Sequence, residues 1–185
     1  MNAASYSTSI VDHYSSLWSE PLQTIRFDRG PVHQLPEDFR VLVFRRSADT
    51  VAYATSCMSQ PTDTEPLELH VLCHPGDMAN ANLVELLTVV AHHHRTGATL
   101  GLGHSVNFGK PWISDSACTY GVISLPYLDG PALEWMVKPR VRFLWLIPTT
   151  PAEIKFKKEF GTDALEERFE AAQFNYLDPL RPSVV

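Results

Sequence analysis

Apolar residues recur along the chain at two different spacings, which predict helices and strands in alternation. Ile10, Tyr14 and Leu17 lie at helical spacing, so an amphipathic helix is predicted over residues 9–18, ending before Pro21. Four shorter apolar runs are typical of strands. They are LQTIRF from Leu22, RVLVF from Arg40, TVAYATS from Thr50 and LELHVLC from Leu67.

Two of these runs also predict how their strands are buried. RVLVF is apolar at successive positions, so it is expected inside the sheet with both faces covered. LELHVLC alternates instead: its leucine, valine and cysteine side chains face one way, and Glu68 and His70 face the other. This alternation predicts a half-buried strand whose polar side faces water.

The second half of the chain continues both patterns. Leu83, Leu87 and Val90 form an apolar stripe over residues 82–94, which predicts a helix that ends at Gly97. Strands are predicted around residues 118–125 and over residues 140–147. The latter run, RVRFLWLI, is apolar enough on both faces to be a central strand with Trp145 buried.

A capping box predicts where the next helix begins. Thr150 supplies the cap, Pro151 the first helical position and Glu153 the reciprocal side chain. This helix is expected to end near Gly161, and a further helix from Thr162 is predicted to bury Leu165, Phe169 and Ala172. The order of elements predicts an α+β fold: a mixed, mostly antiparallel β-sheet covered by helices, in a single domain over residues 1–185.

Composition narrows the classes of function. The 185 residues carry a net charge of −6, which argues against a nucleic-acid-binding protein, because such a protein needs a basic stripe on its surface. No run of 18 apolar residues predicts a membrane span, and the first residues lack the basic start and apolar core of a signal peptide. Three scattered cysteines without a CxxC pair predict a reducing, cytoplasmic setting and no disulfide framework.

Three consecutive histidines, His92 to His94, raise the question of a metal site. Successive helical residues point about 100° apart, so the three side chains diverge. No further histidine lies at the i+4 spacing that two helical ligands need. We therefore predict neither a metal nor another cofactor, and a helix-end cluster is the preferred interpretation. An ion shared with a distant residue, such as His70, Cys73, His74 or His104, is the alternative.

No catalytic template is complete in the sequence. GLGHSVNFG lacks the glycine spacing of a phosphate or dinucleotide loop, and no G-x-S-x-G motif occurs. Ser105 and His104 are not predicted to act as a nucleophile and its base, because the side chains of adjacent residues rarely come within hydrogen-bond reach of each other in the required orientation. The sequence favours a protein without enzymatic activity; an active site assembled from distant residues is the alternative.

Several segments, taken in order, resemble the suppressor of fused domain family. YATSCMSQP resembles the family's T-S-G-M-S turn with Cys57 in place of glycine, and LELHVLCHP resembles the strand that carries its E-L motif. GATLGLGHSVNFGKPW is similar to its glycine–histidine loop. RFLWLIPTTPAEIKFKKEFGTDALEERF resembles its P-I-T-x-x-E segment, and LRPSVV its R-x-S-V-V end. These segments cover about residues 40–185. The replacement of the family's glycine by Cys57 affects the fold only if the turn requires a positive φ at this position.

The resemblance implies a non-enzymatic protein-binding domain. The family's animal founding member sequesters zinc-finger transcription factors of Hedgehog signalling, using this domain and a second one. The present chain resembles the bacterial single-domain form, many examples of which are taken to be immunity proteins that neutralise a cognate polymorphic toxin. A negative net charge is compatible with a basic toxin. The alternative is a regulatory module that binds an endogenous protein or peptide along a sheet edge; a metal-dependent enzyme is the least favoured.

The glycine-rich loop that follows the second long helix is the predicted partner-binding surface. It combines aromatic and charged side chains, which are typical of a recognition edge. The predicted site residues are His104, Asn107, Phe108, Lys110, Trp112 and Asp115. In the alternative interpretation, Phe108 and Trp112 fill the core beneath the loop. In the tail, residues 181–185, Arg181 is expected to lie partly buried against a carboxylate.

Overall fold

A computed structural model describes residues 3–30, 32–77 and 80–185 and shows one sheet between two helical layers. The helices are α1 (Ala3–Trp18), α2 (Ala81–Thr96), α3 (Pro131–Glu134), α4 (Pro151–Phe160) and α5 (Thr162–Ala171). The strands are β1 (Gln23–Ile25), β2 (Arg40–Arg45), β3 (Val51–Ser56), β4 (Leu67–Cys73), β5 (Ser105–Asn107), β6 (Tyr120–Ser124), β7 (Trp135–Met136) and β8 (Val141–Thr149). A 3₁₀ turn, Pro75–Asp77, follows β4.

The strand order of the sheet is β1-β2-β3-β4-β8-β6-β5, with β7 also pairing with β8. β4 and β8 run parallel, with Leu69 opposite Leu144, and the other pairings of the described strands are antiparallel. β8 therefore lies inside the sheet between β4 and β6, and its Trp145 is buried, as predicted. The α+β class and the mixed, mostly antiparallel sheet are confirmed.

Each face of the sheet has its own apolar core. α2 covers one face, and its buried stripe includes the predicted Leu83, Leu87 and Val90. Asn80 caps this helix, because its side-chain oxygen accepts a hydrogen bond from the Asn82 amide at 3.0 Å. The opposite face packs against side chains from α1, α3, α4 and α5. None of the helices in the described ranges is long and apolar enough to cross a membrane.

Two details of the helical prediction are wrong. Leu17 is exposed, and Trp18 replaces it on the buried side of α1, where its indole N–H donates to Asp129 at 2.9 Å. The buried residues of α1 are Tyr6, Ile10, Tyr14 and Trp18, one at every fourth position. Ala172 is also exposed, because α5 ends at Ala171, whereas Leu165 and Phe169 are buried as predicted.

The prediction that β4 has a solvent-facing side is wrong as well. Glu68 and His70 are buried, because α1 covers the face on which they lie. Glu68 accepts hydrogen bonds from the Thr55 hydroxyl at 2.6 Å and from the Met58 amide at 3.2 Å. The His70 ring stacks on Trp145 with the ring centroids 6.5 Å apart. Hydrogen-bond donors inside the protein replace water around Glu68, whereas His70 is enclosed by aromatic rings and its Nδ1 has no hydrogen-bond partner among the described residues.

The turn after β3 explains the cysteine that stands where the resembling family has glycine. Cys57 has a φ of 63°, in the left-handed region that glycine adopts without strain. The following amides, of Met58 and Ser59, both point at the Glu68 carboxylate. The turn therefore does demand a positive φ, and the buried Glu68 side chain holds its backbone in place.

The capping box at the start of α4 is confirmed in full. The Thr150 hydroxyl accepts from the Glu153 amide at 3.2 Å, and the Glu153 carboxylate accepts from the Thr150 amide at 2.8 Å. α4 ends before Gly161, whose φ of 95° reverses the chain into α5. This tight reversal places α4 and α5 side by side on the sheet.

Candidate protein-binding site

β5 forms an end of the sheet with one edge open. It pairs with β6, and no described strand lies on its other side. The Phe108 amide donates to the Thr119 carbonyl of the β6 side at 2.9 Å. Because alternate residues of an antiparallel strand bond to opposite sides, Ser105 and Asn107 direct their backbone groups to the open edge. An open edge of this kind can accept an added strand.

Trp112 anchors the predicted loop to the core. Its side chain is buried, and its indole N–H donates to the Ser116 hydroxyl at 3.1 Å. The Trp112 amide also donates to the Cys118 carbonyl at 3.1 Å. Trp112 therefore fills the core beneath the loop, and a partner cannot reach it. Its burial fixes the position of the neighbouring exposed residues.

Phe108 is half-buried and lies over Gly121 in the next strand. A Cβ atom added at Gly121 would come within 2.6 Å of the Phe108 ring, so only glycine leaves room for this ring. The remaining part of the ring lines the surface beside the edge of β5. Phe108 therefore fits both interpretations of the loop: one side of its ring packs on the core, and the other side is open to a partner.

The other predicted residues are at the surface. His104, Asn107 and Asp115 are exposed. Asn107 accepts a hydrogen bond from the Gly109 amide at 2.8 Å, which holds the turn after β5. Lys110 makes an ion pair with Glu85 of α2, and both side chains are about two-fifths exposed. Such exposed pairs contribute less than about 1 kcal/mol, so a partner can replace this one.

A crevice of about 200 Å³ lies between α2 and the turn after β5. Asn107, Phe108 and Lys110 are the predicted residues that line it, and His104, Trp112 and Asp115 do not. The helical side of the crevice was not predicted. It consists of Glu85, Leu86, Val89 and Val90. The sequence feature that could have indicated this wall is Val89, which is apolar but lies outside the buried stripe of α2. In the structure Val89 is 39% exposed.

The histidine cluster does not form part of this surface. His94 is buried, and its Nδ1 accepts from the Leu100 amide at 3.0 Å while its Nε2 contacts the Ser59 hydroxyl at 3.4 Å. Burial lowers the pKa of His94, which favours the neutral ring that these contacts require. Over residues 3–30, 32–77 and 80–185, no three histidine, cysteine, aspartate or glutamate side chains form a group that could hold a metal ion.

Comparisons with known proteins agree with this architecture. The profile of the suppressor of fused protein (SUFU) family matches residues 36–182. A search of curated protein sequences finds no match. Among solved structures, a suppressor of fused homologue from Neisseria gonorrhoeae superposes with a TM-score of 0.85 at 28% sequence identity, covering 99% of this chain and 98% of that one.

Two more distant structures share the fold at 12% identity. The structure of a Sufu–Fu complex gives a TM-score of 0.68 and covers 89% of this chain and 84% of that one. Suppressor of Fused from Drosophila gives 0.67, covering 88% of this chain and 46% of that one. Because the family profile extends from before β2 into the C-terminal tail, the chain belongs to the suppressor of fused protein family.

Proposed function

We propose that this chain is a non-enzymatic protein-binding domain that holds an extended segment of its partner along β5. The observation that carries the proposal is the open edge of β5 beside the crevice under Phe108. A structure with the same fold is described as a Sufu–Fu complex, so a protein of this architecture does bind another protein.

The geometry supports a specific mode of binding. An added strand would exchange backbone hydrogen bonds with Ser105 and Asn107, and one of its side chains would enter the crevice. His104 immediately precedes β5 and is exposed, so it would supply a polar contact to the added strand; Asp115 is exposed in the loop between β5 and β6. Because Trp112 already fixes the loop, little conformational entropy is lost when the partner binds.

The site is tested by closing the crevice. Val89→Glu places a carboxylate on the apolar helical wall beside Glu85, and we expect partner binding to weaken at least about tenfold, because an entering apolar side chain would have to desolvate it. Val137→Glu is the matched control, because Val137 is 76% exposed and lies outside the crevice lining. The partner for the assay is first captured from the native cell with the wild-type chain. Equal binding by the two variants would exclude the β5 edge.

The finer proposal is that the partner is a toxin and the chain is its immunity protein, acting in the cytoplasm by occlusion. The three cysteines are free and buried, which suits a reducing compartment. The net charge of −6 favours a basic partner. The second candidate, a regulatory module for an endogenous peptide, uses the same edge of β5.

Growth rescue separates these two candidates. The captured partner is expressed alone in a bacterial host and then together with this chain. Toxicity that the wild-type chain relieves, and that Val89→Glu relieves poorly, would support an immunity function. A captured partner that does not impair growth would support the regulatory module and contradict immunity.

A further inference from the structure

α5 presents four carboxylates on one face: Asp163, Glu166, Glu167 and Glu170. Their spacing of three, four and seven residues aligns them along the helix. All four line an open groove of about 610 Å³, a volume typical of ligand-binding sites. The groove lies on the sheet face that α1 and α4 also cover, and its lining shares no residue with the crevice beside β5.

The floor of the groove is aromatic. Trp145 of the central strand meets Tyr176 edge to face, with the ring centroids 5.2 Å apart. Phe169 and Phe174 stack with their centroids 4.3 Å apart and complete the wall below α5. Tyr127 lines the groove beside Glu166, to which its hydroxyl donates at 2.7 Å, and is more than half exposed. Trp145 and Phe169 are themselves buried, so the aromatic surface that a ligand can reach comes from Tyr127, Phe174 and Tyr176. Tyrosine rings combine apolar area with π-faces that attract cations.

The carboxylates on the rim are not neutralised. None of the four forms a salt bridge with a described cationic side chain. Two arginines of this region are engaged by other groups: Arg181 is bound by Glu153 and lies over Phe169 and Phe174, and Arg168 stacks on Phe156. Glu166 accepts hydrogen bonds from Ser124 and Tyr127, which fix a carboxylate at the rim without cancelling its charge. Asp163 lies in the first turn of α5, where a negative charge stabilises the helix, and Glu166 is held by its two donors. Glu167 and Glu170 have neither role, and like charges at this spacing destabilise a helix slightly, so folding does not account for these two.

We propose that this groove binds a cationic polypeptide segment: an aromatic or large aliphatic anchor flanked by lysine or arginine. The anchor lies on the accessible parts of the Phe174 and Tyr176 rings, and the flanking cations meet the carboxylates of α5. Charge complementarity selects this occupant over nucleic acid, which the rim repels, and over an anionic peptide. The groove is a second contact surface and does not depend on the β5 edge.

The test uses a fluorescein-labelled synthetic peptide, GRKFWRKG, and measures anisotropy against the purified chain. The double variant Glu167→Gln/Glu170→Gln removes two rim charges from exposed side chains. The matched control, Glu20→Gln/Glu37→Gln, removes the same charge from exposed positions outside the groove. We expect the first variant to bind about tenfold more weakly, since each lost exposed contact weakens binding several-fold, and the control to match the wild type.

Two control peptides separate the contributions of charge and anchor. GEEFWEEG should not bind, and GRKSSRKG should bind at least about tenfold more weakly than GRKFWRKG, because the apolar floor stays empty. Raised salt should weaken binding of the basic probe to the wild type more than to Glu167→Gln/Glu170→Gln. Equal affinity of both double variants, binding of the acidic peptide, or no saturation up to about 1 mM would each overturn the proposal. Dimerisation that Glu167→Gln/Glu170→Gln abolishes would also overturn it, by making a second copy the occupant.

Discussion

Arg181 and Glu153 form a buried ion pair with two parallel hydrogen bonds, which ties the C-terminal tail to the first turn of α4. The Nη1–Oε1 and Nη2–Oε2 distances are 2.7 and 2.9 Å, and the two side chains are 4% and 0% exposed. Arg181 also donates to the Pro148 carbonyl at 2.9 Å and lies over the rings of Phe169 and Phe174. The predicted carboxylate partner is thus the glutamate of the capping box.

Glu153 connects three segments of the chain. Its carboxylate accepts from the Thr150 amide, from Arg181 and from the Val184 amide at 3.1 Å. A carboxylate buried this deeply is stable only while these donors are present. The start of α4 and the end of the chain are therefore expected to lose their structure together.

Arg181→Met should lower the free energy of unfolding by about 3–5 kcal/mol, because it leaves the Glu153 charge buried without a cation. Urea unfolding monitored by circular dichroism measures this loss. Arg29→Met, on an exposed arginine, is the control and should change stability by less than about 0.5 kcal/mol. Adding Glu153→Gln to Arg181→Met should recover part of the loss. A loss below about 1 kcal/mol for Arg181→Met would contradict this account.

Deleting Pro182 to Val185 should lower the melting temperature by about 3–6 °C. The deletion removes the Val184 amide bond to Glu153 and the Ser183–Thr150 hydroxyl contact. Val185 is 45% exposed, so roughly one valine is buried, contributing about 1.5 kcal/mol. Calorimetry measures the shift, and deletion of Val185 alone should leave the melting temperature unchanged. If deletion of Pro182 to Val185 also leaves the melting temperature unchanged, the tail does not stabilise the fold.

Gln173→Gly should raise the free energy of unfolding by about 0.5–1 kcal/mol. Gln173 follows α5 with a φ of 46°, and the amides of Gln173 and Phe174 donate to the carbonyls of Glu170 and Phe169. This is the Schellman arrangement, in which glycine is the usual residue at the left-handed position. Ala172→Gly, one residue earlier in a right-handed conformation, should be destabilising by a similar amount. Destabilisation by both substitutions would mean that the left-handed position is not strained.

Periodicity identified most of the sheet but not what faces each strand. β2 and β8 were predicted as internal because they are apolar on both faces, and such runs need cover on both sides. β4 was predicted as half-buried because Glu68 and His70 alternate with apolar residues. The spacing of polar residues does not show whether they face water or a protein interior that supplies hydrogen-bond donors. For Glu68, Thr55 and the amides of the turn after β3 supply those donors. The same limit applies to Leu17 and Trp18, adjacent apolar residues of which only one faces the sheet.

The sequence predicts the loop of the candidate site but not the residues that face this loop across the fold. Glycines and aromatic residues mark the loop in the sequence, yet which ring is buried depends on tertiary packing around Trp112 and Phe108. Val89 is distant in sequence and joins the crevice only because α2 packs beside β5. The acidic face of α5 can be read from its spacing, but its aromatic floor requires the sheet position of Trp145.

Glu68 and His70 should give the stability of the protein an unusual dependence on pH. Burial raises the pKa of Glu68 from an ordinary 4.5 to about 8, and burial lowers the pKa of His70 from 6.5 to about 3. Between pH 4.5 and 8 the folded state holds a proton on Glu68 that the unfolded chain releases, so stability falls as pH rises. Between pH 3 and 6.5 the unfolded chain protonates His70 and the folded state does not, so stability falls as pH drops.

The two effects oppose each other between pH 4.5 and 6.5. The lowered pKa of His94 adds to the His70 effect below pH 6.5, so stability should rise only slightly with pH over this range. From pH 6.5 to 8 the Glu68 effect acts alone, and the free energy of unfolding should fall by roughly 1.4 kcal/mol per pH unit. Urea unfolding at half-unit steps of pH measures this slope. Glu68→Gln should flatten it, whatever the variant's absolute stability, and Glu65→Gln, on an exposed neighbour, should keep it. If Glu68→Gln retains the wild-type slope above pH 6.5, Glu68 is already ionised in the folded protein, and the donors of the Cys57 turn outweigh the effect of burial.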